Sequence, residues 1–204
     1  MDDLHRRVER GYDAIAERYD LVTRANRGPE TSFRTFLDGI LERIPRNGRV
    51  LDLGCGAGSI TYELARRARV IGLDRSWAQL AFARQAAPGA RLLRADIAEV
   101  AFRSSSFDGV VAFWTLIHVR RDRHRSVLAR IHDWLTPGGV LAGTLGASDS
   151  PEDVEEDFFG APMSWSHFDA ETNRGLVRDA GFRIVKADEV RDEGETALWV
   201  IATV

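Results

Sequence analysis

The sequence predicts an α/β fold with a doubly wound, seven-stranded and mostly parallel sheet whose last strand is antiparallel. Two observations support this prediction. Short apolar segments alternate with helical patterns from residue 50 onward, a spacing typical of βαβ units with helices on both faces of parallel strands. The first strand runs into a turn with glycines at positions 54, 56 and 58, and glycine is favoured where the backbone needs a positive φ or approaches a ligand.

Length and composition exclude several classes of protein. The 204 residues suit one domain with a full core, so we expect a single domain over 1–204. A net charge of −3 with interspersed signs predicts small partners and no nucleic acid. Cys55, the only cysteine, leaves no disulfide and no multi-thiolate zinc site, and we predict no metal. Without an apolar N-terminal segment, we expect a cytoplasmic monomer or homodimer with no stable membrane insertion.

Two amphipathic helical patterns, at 4–22 and 31–44, precede the first strand. We expect residues 1–45 to form a helical cover over the sheet. Tyr12 and Tyr19 lie on the apolar stripe of the first helix, where packing is the usual role of aromatic side chains.

The strands and helices after residue 50 follow in regular alternation. Further strands are predicted at 70–74, 91–95, 107–113, 140–145, 182–190 and 196–203, and helices at 60–67, 77–87, about 122–135 and 169–180. The short polar segment 191–195 implies a hairpin, so one of the last two strands is antiparallel, and we take it to be the last. Residues 146–168 show weak periodicity and exceed an ordinary connection, which predicts a lid segment over 148–168.

Acidic residues stand at the ends of the first three predicted strands. Asp52, Asp74 and Asp96 are equally spaced along the chain, and ligands of open α/β sheets bind at the carboxyl ends of the strands. Three acids in register with a glycine turn indicate a ligand rich in hydroxyls and amines. A turn that binds nothing is the alternative for any one of these features alone.

In these residues the chain resembles the class I S-adenosylmethionine (SAM) dependent methyltransferases. The segment 52–58, Asp-Leu-Gly-Cys-Gly-Ala-Gly, is similar to their first motif, and Asp74 and the pair Asp96-Ile97 stand at their ribose-binding and adenine-binding positions. The fourth strand with 116–119 and the turn 137–139 match two further motifs. The resemblance spans about residues 10–204 and implies a Rossmann-like methyltransferase fold.

The resemblance also implies a cofactor, SAM, with S-adenosylhomocysteine (SAH) as its product. Asp52 and the glycine turn of Gly54, Gly56 and Gly58 would take the methionine part, Asp74 the ribose, and Asp96 with Ile97 the adenine. Phe113 at the end of the fourth strand would border the site. The segment 12–20 matches the Tyr-x-x-x-Ala-x-x-Tyr-Asp opening of related enzymes, which implies that Tyr19 closes over SAM.

Two alternatives stay open. A nicotinamide enzyme of Rossmann type would need a glycine at position 59, where this chain has Ser59. A protein that binds SAM without turning it over, acting as a sensor or subunit, has no distinguishing sequence signal. Turnover of SAM to SAH separates it from an enzyme.

The expected reaction is methyl transfer to an O, N or C atom of a small, partly apolar molecule. Orientation supplies much of the catalysis of such a displacement, and a nearby base completes it. Candidate bases are His118, just past the fourth strand, and His167, in the expected lid beside Trp165. His124 and His132 lie on the following helical pattern and are expected at the surface.

Overall fold

The structure, a computed structural model, describes residues 3–25, 32–192 and 195–204. Parts of the expected cover, residues 1, 2 and 26–31, and the centre of the last predicted turn, residues 193 and 194, lie outside this range. The helices are α1 (Asp3–Ala25), α2 (Ser32–Arg43), α3 (Ser59–Ala65), α4 (Trp77–Ala86), α5 (His124–Trp134) and α6 (Ala170–Asp179). The strands are β1 (Arg49–Leu53), β2 (Arg69–Asp74), β3 (Arg91–Arg94), β4 (Phe107–Ala112), β5 (Leu135–Gly146), β6 (Ser150–Phe158), β7 (Ala161–His167), β8 (Arg183–Asp192) and β9 (Glu195–Thr203).

Seven of the described strands form one sheet in the order β3-β2-β1-β4-β5-β9-β8. The pairs β1–β2, β1–β4, β2–β3 and β4–β5 are parallel, whereas β9 is antiparallel to both β5 and β8. The predicted doubly wound sheet with an antiparallel last strand is confirmed. The strand order reverses between β1 and β4, and a crevice for ligands opens at the carboxyl ends beside such a reversal.

Apolar side chains cover both faces of the sheet. Leu51 and Leu53 of β1 pack with Trp134 of α5 on one face, while Val50 packs with Leu37 of α2 on the other. Successive strand residues point to opposite faces, so a continuous apolar run is what a strand covered on both sides requires. In the described part of the chain, no helix has the length and apolar character to cross a membrane.

The segment after β5, where the sequence analysis predicted no strands, forms a two-stranded hairpin, and its role as a lid stays a prediction. Strands β6 and β7 pair antiparallel around Phe159 and Gly160, which both have positive φ (55° and 98°). A two-residue turn with positive φ at both positions favours Asn-Gly. Here the first position is Phe159, so the sequence lacks the usual signal for a hairpin turn. In β6, residues 151–157 are all exposed, and the alternation that marks a half-buried strand is absent.

Two further expectations differ from the structure. Strand β5 begins at Leu135 and includes the predicted turn 137–139. His124 was expected at the surface but is 2% exposed, because it stands at the start of α5. Its Nε2 lies 2.9 Å from the Val119 carbonyl, and this contact with the preceding turn satisfies a polar atom inside the core.

Candidate functional site

The glycine turn between β1 and α3 lies at the carboxyl end of the sheet. Gly54, Gly56 and Gly58 have positive φ angles of 67°, 51° and 86°, a region that other L residues enter at a cost. A Cβ on Gly54 would lie 2.1 Å from Thr115 Oγ1, and one on Gly58 would lie 2.8 Å from Ala83 Cα. Gly56 has no neighbour closer than 3.7 Å. Two of the three glycines are therefore required by close packing and the third by backbone conformation.

Asp74, the last residue of β2, connects the glycine turn to the turn between β2 and α4 through two hydrogen bonds. The Gly56 N–H donates to one carboxylate oxygen and the Ser76 N–H to the other, each at 2.9 Å. Burial raises the pKa of Asp74, and these backbone donors oppose that rise. A carboxylate has about four acceptor positions, so Asp74 can accept ligand hydroxyls beside its two backbone contacts.

Asp96 follows β3 and is tied to helix α1. Its Oδ1 accepts from the Ala98 N–H (2.8 Å) and its Oδ2 from Arg75 (3.1 Å). His5 of α1 approaches Oδ2 to 3.9 Å, and Arg75 lies 3.9 Å from Glu9 of the same helix. The amino-terminal helix thus crosses the ends of β2 and β3 and makes charged contacts there.

A second contact holds α1 against helix α4. Asp13 Oδ1 accepts from the Ser76 hydroxyl at 2.5 Å and from the Ala78 N–H at 3.1 Å. Backbone N–H groups in the first turn of a helix lack partners within it, so Asp13 satisfies one of them from another helix.

Tyr12 and His118 meet on the other side of α1. The Tyr12 hydroxyl lies 2.9 Å from His118 Nε2, and His118 Nδ1 lies 2.8 Å from the carbonyl oxygen of Ser164 in β7. Since a carbonyl only accepts, Nδ1 carries the proton and Nε2 accepts from Tyr12. Burial lowers the pKa of His118 to about 4, which keeps the ring neutral near pH 7.

These groups surround one solvent-connected cavity with about 950 Å³ of space not filled by atoms. We call one group of lining residues the charged part of the cavity; it consists of His5, Glu9, Asp74, Arg75 and Asp96. We call a second group the aromatic part; it consists of Tyr12, Tyr19, Phe113, Trp114 and His118. The glycine turn lies on the same cavity.

The structure brings most of the predicted site residues to this cavity. Those that line it are Tyr19, Gly54, Gly56, Asp74, Asp96, Ile97, Phe113 and His118. Asp52, Gly58 and His167 are not among its lining residues. Asp52 is buried and accepts a hydrogen bond from the Thr61 hydroxyl at 2.6 Å, so it holds the start of α3. His167 Nδ1 lies 2.8 Å from the Ser148 carbonyl, and this contact turns the ring toward its own hairpin connection.

Sequence reasoning missed several cavity residues. Tyr12 was assigned to packing, and Glu9, Gln79 and Trp114 carried no motif. Gln79 stands in the first turn of α4, 1% exposed, and both of its side-chain polar atoms lack a protein partner. One signal was available for Tyr12, because it opens the same Tyr-x-x-x-Ala-x-x-Tyr pattern as Tyr19.

The fold and the cavity define a doubly wound α/β protein with an acid-flanked glycine turn, a site suited to a nucleoside-containing ligand. Residues 50–139 match the family model of the methyltransferase domain. On these grounds, with the relatives described next, residues 50–139 are assigned to the class I SAM-dependent methyltransferase family.

Relatives of known name share part of the chain. Trans-aconitate 2-methyltransferase of Variovorax paradoxus is 42% identical over 102 residues, which are 48% of this chain and 39% of that protein. Malonyl-[acyl-carrier protein] O-methyltransferase of Enterobacter lignolyticus is 33% identical over 153 residues, 72% of this chain and 57% of that protein. The chain therefore matches well under two thirds of the length of either relative.

The fold also resembles solved structures over most of its length. The crystal structure of a TehB-like SAM-dependent methyltransferase from Corynebacterium glutamicum superposes with a TM-score of 0.71 and 21% sequence identity. The match covers 93% of this chain and 98% of that one. The arrangement of helices and strands is thus shared at low sequence identity.

Proposed function

We propose that the protein binds SAM and transfers its methyl group to an O, N or C atom of a small, partly apolar molecule, releasing SAH. The observation that carries the proposal is the placement of Asp74 and Asp96 beside the glycine turn in one cavity. SAM, when bound, supplies a methyl group on a sulfonium, whose departure leaves a neutral thioether.

The glycine turn fits SAM better than a dinucleotide. A pyrophosphate needs free backbone N–H groups at the turn, but the Gly56 N–H already donates to the Asp74 carboxylate. That carboxylate would also repel a phosphate placed nearby. SAM carries no phosphate and offers hydroxyls and amines, which carboxylates accept well.

The two parts of the cavity suggest how the ligands divide it. Asp74 and Asp96 in the charged part would accept from the ribose hydroxyls and the adenine amine, with Ile97 against the ring. The aromatic part would then receive the methyl acceptor, with Tyr19 and Phe113 between the two. This division supports a small and partly apolar acceptor, because aromatic surface gains from covering apolar surface.

The names of the relatives do not assign the acceptor. They act on trans-aconitate and on a malonyl acyl carrier protein, and the family model covers residues 50–139. Tyr12 and Tyr19 of the aromatic part come from α1, and Ser164, which orients His118, comes from β7, so all three lie outside that range. We therefore infer the chemical class of the acceptor from the lining of this cavity, and we keep His118 as the candidate general base. His167 is not carried forward, since it is not among the residues that line the cavity.

Formation of SAH is the direct test of the proposed activity. Purified protein incubated with SAM and a panel of small aromatic and aliphatic acceptors should form SAH together with a methylated product, measured by mass spectrometry. Tight binding of SAH without turnover on the whole panel would favour the SAM-binding regulator over an enzyme.

Replacement of Asp74 should weaken binding of SAH. We expect Asp74→Ala to raise the dissociation constant at least about tenfold, equivalent to about 1.4 kcal/mol, because two ligand hydroxyls lose their acceptor. Calorimetric titration with SAH measures it, with circular dichroism to check folding. Asp133→Ala on α5, whose carboxylate accepts from Ser104 at an exposed site, is the matched control. An unchanged constant for Asp74→Ala would remove this residue from the site.

We further propose that α1 and the β6–β7 hairpin together cover the acceptor. Gly11 of α1 packs against Pro162 and Met163 of β7, and Arg7 donates to the Ser164 hydroxyl at 2.7 Å. The two segments therefore form one unit across the cavity.

Bound SAH should slow proteolysis of this cover. We expect trypsin to cut after Arg10 and Arg18 of α1 at least about tenfold more slowly with saturating SAH, because a ligand that binds the closed form stabilises it. Cleavage after Arg178, on α6, is the internal control. Equal rates at Arg10 and Arg18 with and without ligand would contradict the role of α1 as a cover.

A further inference from the structure

We propose that Tyr12 and His118 form a proton relay for an acceptor that carries a hydroxyl on an uncharged aromatic ring. The proposal rests on the function proposed above and names its substrate class and two of its residues. Three observations support it: the hydrogen-bond order around His118, the surroundings of the pair, and the distribution of charge in the cavity.

The first observation is the direction of the hydrogen bonds. The Ser164 carbonyl fixes the proton of His118 on Nδ1, so the Nε2 lone pair faces the Tyr12 hydroxyl. The hydroxyl proton is thereby directed at the imidazole. An oxygen that gives up its proton toward His118 can receive another proton from a ligand, which is the arrangement a relay requires.

The protonation states suit this direction of transfer. Burial keeps the pKa of His118 low, at about 4, and raises the pKa of Tyr12 well above its usual range. Near pH 7 the phenol is therefore protonated and the imidazole neutral. The pair starts every reaction cycle ready to accept one proton.

The second observation concerns the aromatic surroundings of the pair. The Tyr12 ring meets Tyr19 edge-on at 5.3 Å between centroids, and the His118 ring lies 5.8 Å from Trp165. Phe158 of the hairpin continues this surface, 5.2 Å from Trp165. Trp165 and Phe158 are not among the residues that line the cavity, whereas Tyr12 and Tyr19 are. A planar acceptor therefore gains from edge and face contacts with the two tyrosine rings, and the relay lies beside its substituents.

The third observation is where the charges lie. The carboxylates and the arginine that line the cavity are in its charged part, where Arg75 pairs with Asp96 at 3.1 Å. The described residues of the aromatic part carry no formal charge at neutral pH, and the Asp74 carboxylate is near enough to contribute to the raised pKa of Tyr12, after burial and Tyr19. An anionic acceptor such as a polycarboxylate would lose hydration there without gaining a partner. A neutral ring with one hydroxyl meets no such cost.

The proposed step conserves charge inside the cavity. The acceptor oxygen forms a bond to the methyl carbon as the carbon–sulfur bond breaks, and the electron pair of that bond stays on sulfur. The acceptor proton passes to the Tyr12 oxygen while the Tyr12 proton passes to His118 Nε2. The positive charge leaves the sulfonium and arrives on the imidazolium, so the buried base gains its charge as the ligand loses one. After product release, the imidazolium returns its proton to water.

Two phenols of different acidity provide the test of the relay. Phenol keeps its proton near pH 8, whereas 4-nitrophenol has already lost it, so only phenol needs the relay. The hydration that the 4-nitrophenolate anion loses on binding raises its KM, so the two acceptors are compared by kcat at saturation. We expect Tyr12→Phe and His118→Gln to lower kcat for phenol about 100-fold, with kcat for 4-nitrophenol changed less than about threefold. Tyr62→Phe, an exposed tyrosine on α3, is the control for loss of a hydroxyl. An equal loss of kcat on both phenols would overturn the relay.

Nitrogen NMR of the protein with SAH supplies a readout that needs no acceptor. At pH 7 the His118 ring should show a protonated Nδ1 and an unprotonated Nε2, and Tyr12→Phe should shift the Nε2 resonance. A protonated Nε2 would overturn the relay. Failure of SAH to bind would instead overturn the proposed function, and SAH binding without turnover of phenol, catechol or hydroquinone would overturn the acceptor class alone.

Discussion

Acidification from pH 6.5 to pH 4 should lower the free energy of unfolding of the wild-type protein by about 3 kcal/mol more than that of His118→Gln. The pKa of His118 is about 4 in the folded protein, against about 6.5 for an exposed histidine. Between pH 6.5 and pH 4, the unfolded chain therefore binds a proton at His118 that the folded protein does not bind. This stability is fully present above pH 6.5 and is lost as the pH falls toward 4.

Urea unfolding at a series of pH values measures this difference. Glutamine retains a donor for the Ser164 carbonyl and an acceptor for Tyr12, yet it does not titrate. The variant thus keeps the contacts and loses the proton linkage, and carboxylates that titrate in the same range cancel in the comparison. If the free energy of unfolding falls equally with pH in the wild-type protein and in His118→Gln, the pKa of His118 is not lowered, and the histidine is hydrated in the folded state.

Much of the fold follows from local patterns in the sequence. The strands β1, β2 and β4 are short, mostly apolar segments bounded by polar turns, and their alternation with helices permits few topologies. Asp74 and Asp96 are strand-end acids, so their place at the carboxyl edge follows once the strands are parallel. The two aspartates of the charged part could therefore be predicted from residue spacing, whereas His5 and Glu9, which α1 brings there, could not.

Tyr19, Phe113 and His118 of the aromatic part were site candidates from the sequence, but the contact between Tyr12 and His118 could not be predicted, because it joins distant segments of the chain. Tyr12 and His118 are 106 residues apart, and His118 and Ser164 are 46 apart. The hydrophobic periodicity of the sequence does not indicate in which direction α1 crosses the sheet or where the β6–β7 hairpin packs. The burial of His118 is likewise a property of the assembled cavity, so its lowered pKa carries no sequence signal.

The two parts of the cavity therefore differ in how the chain specifies them. In the charged part, Asp74 and Asp96 stand on consecutive βα turns and are held by neighbouring backbone, while His5 and Glu9 come from α1. The aromatic part combines residues that follow β4 with Tyr12 and Tyr19 of α1, and the hairpin orients His118 through the Ser164 carbonyl. A family that shares residues 50–139 can thus keep one ligand and change the other by altering the segments on either side.

Gly54→Ala should destabilise the protein by about 2 to 5 kcal/mol, a large effect for the addition of one methyl group. The backbone at Gly54 has a φ of 67°, which costs any other L residue about 1–2 kcal/mol. The new Cβ would also lie 2.1 Å from Oγ1 and 2.5 Å from Cγ2 of Thr115. Thr115 cannot move away freely, since its hydroxyl lies 2.9 Å from the Leu53 carbonyl. Urea unfolding monitored by circular dichroism gives the magnitude.

Gly56→Ala separates backbone strain from collision. Its φ is 51° but a Cβ there has no neighbour closer than 3.7 Å, so we expect a loss of only about 1–2 kcal/mol. Gly54→Ala in a Thr115→Gly background should cost about the same, because the colliding atoms are gone. If Gly54→Ala and Gly56→Ala cost the same in the wild-type background, Thr115 yields to the new methyl group. The turn would then be held by the hydrogen bond from the Gly56 N–H to Asp74, and its shape would not depend on packing against Thr115.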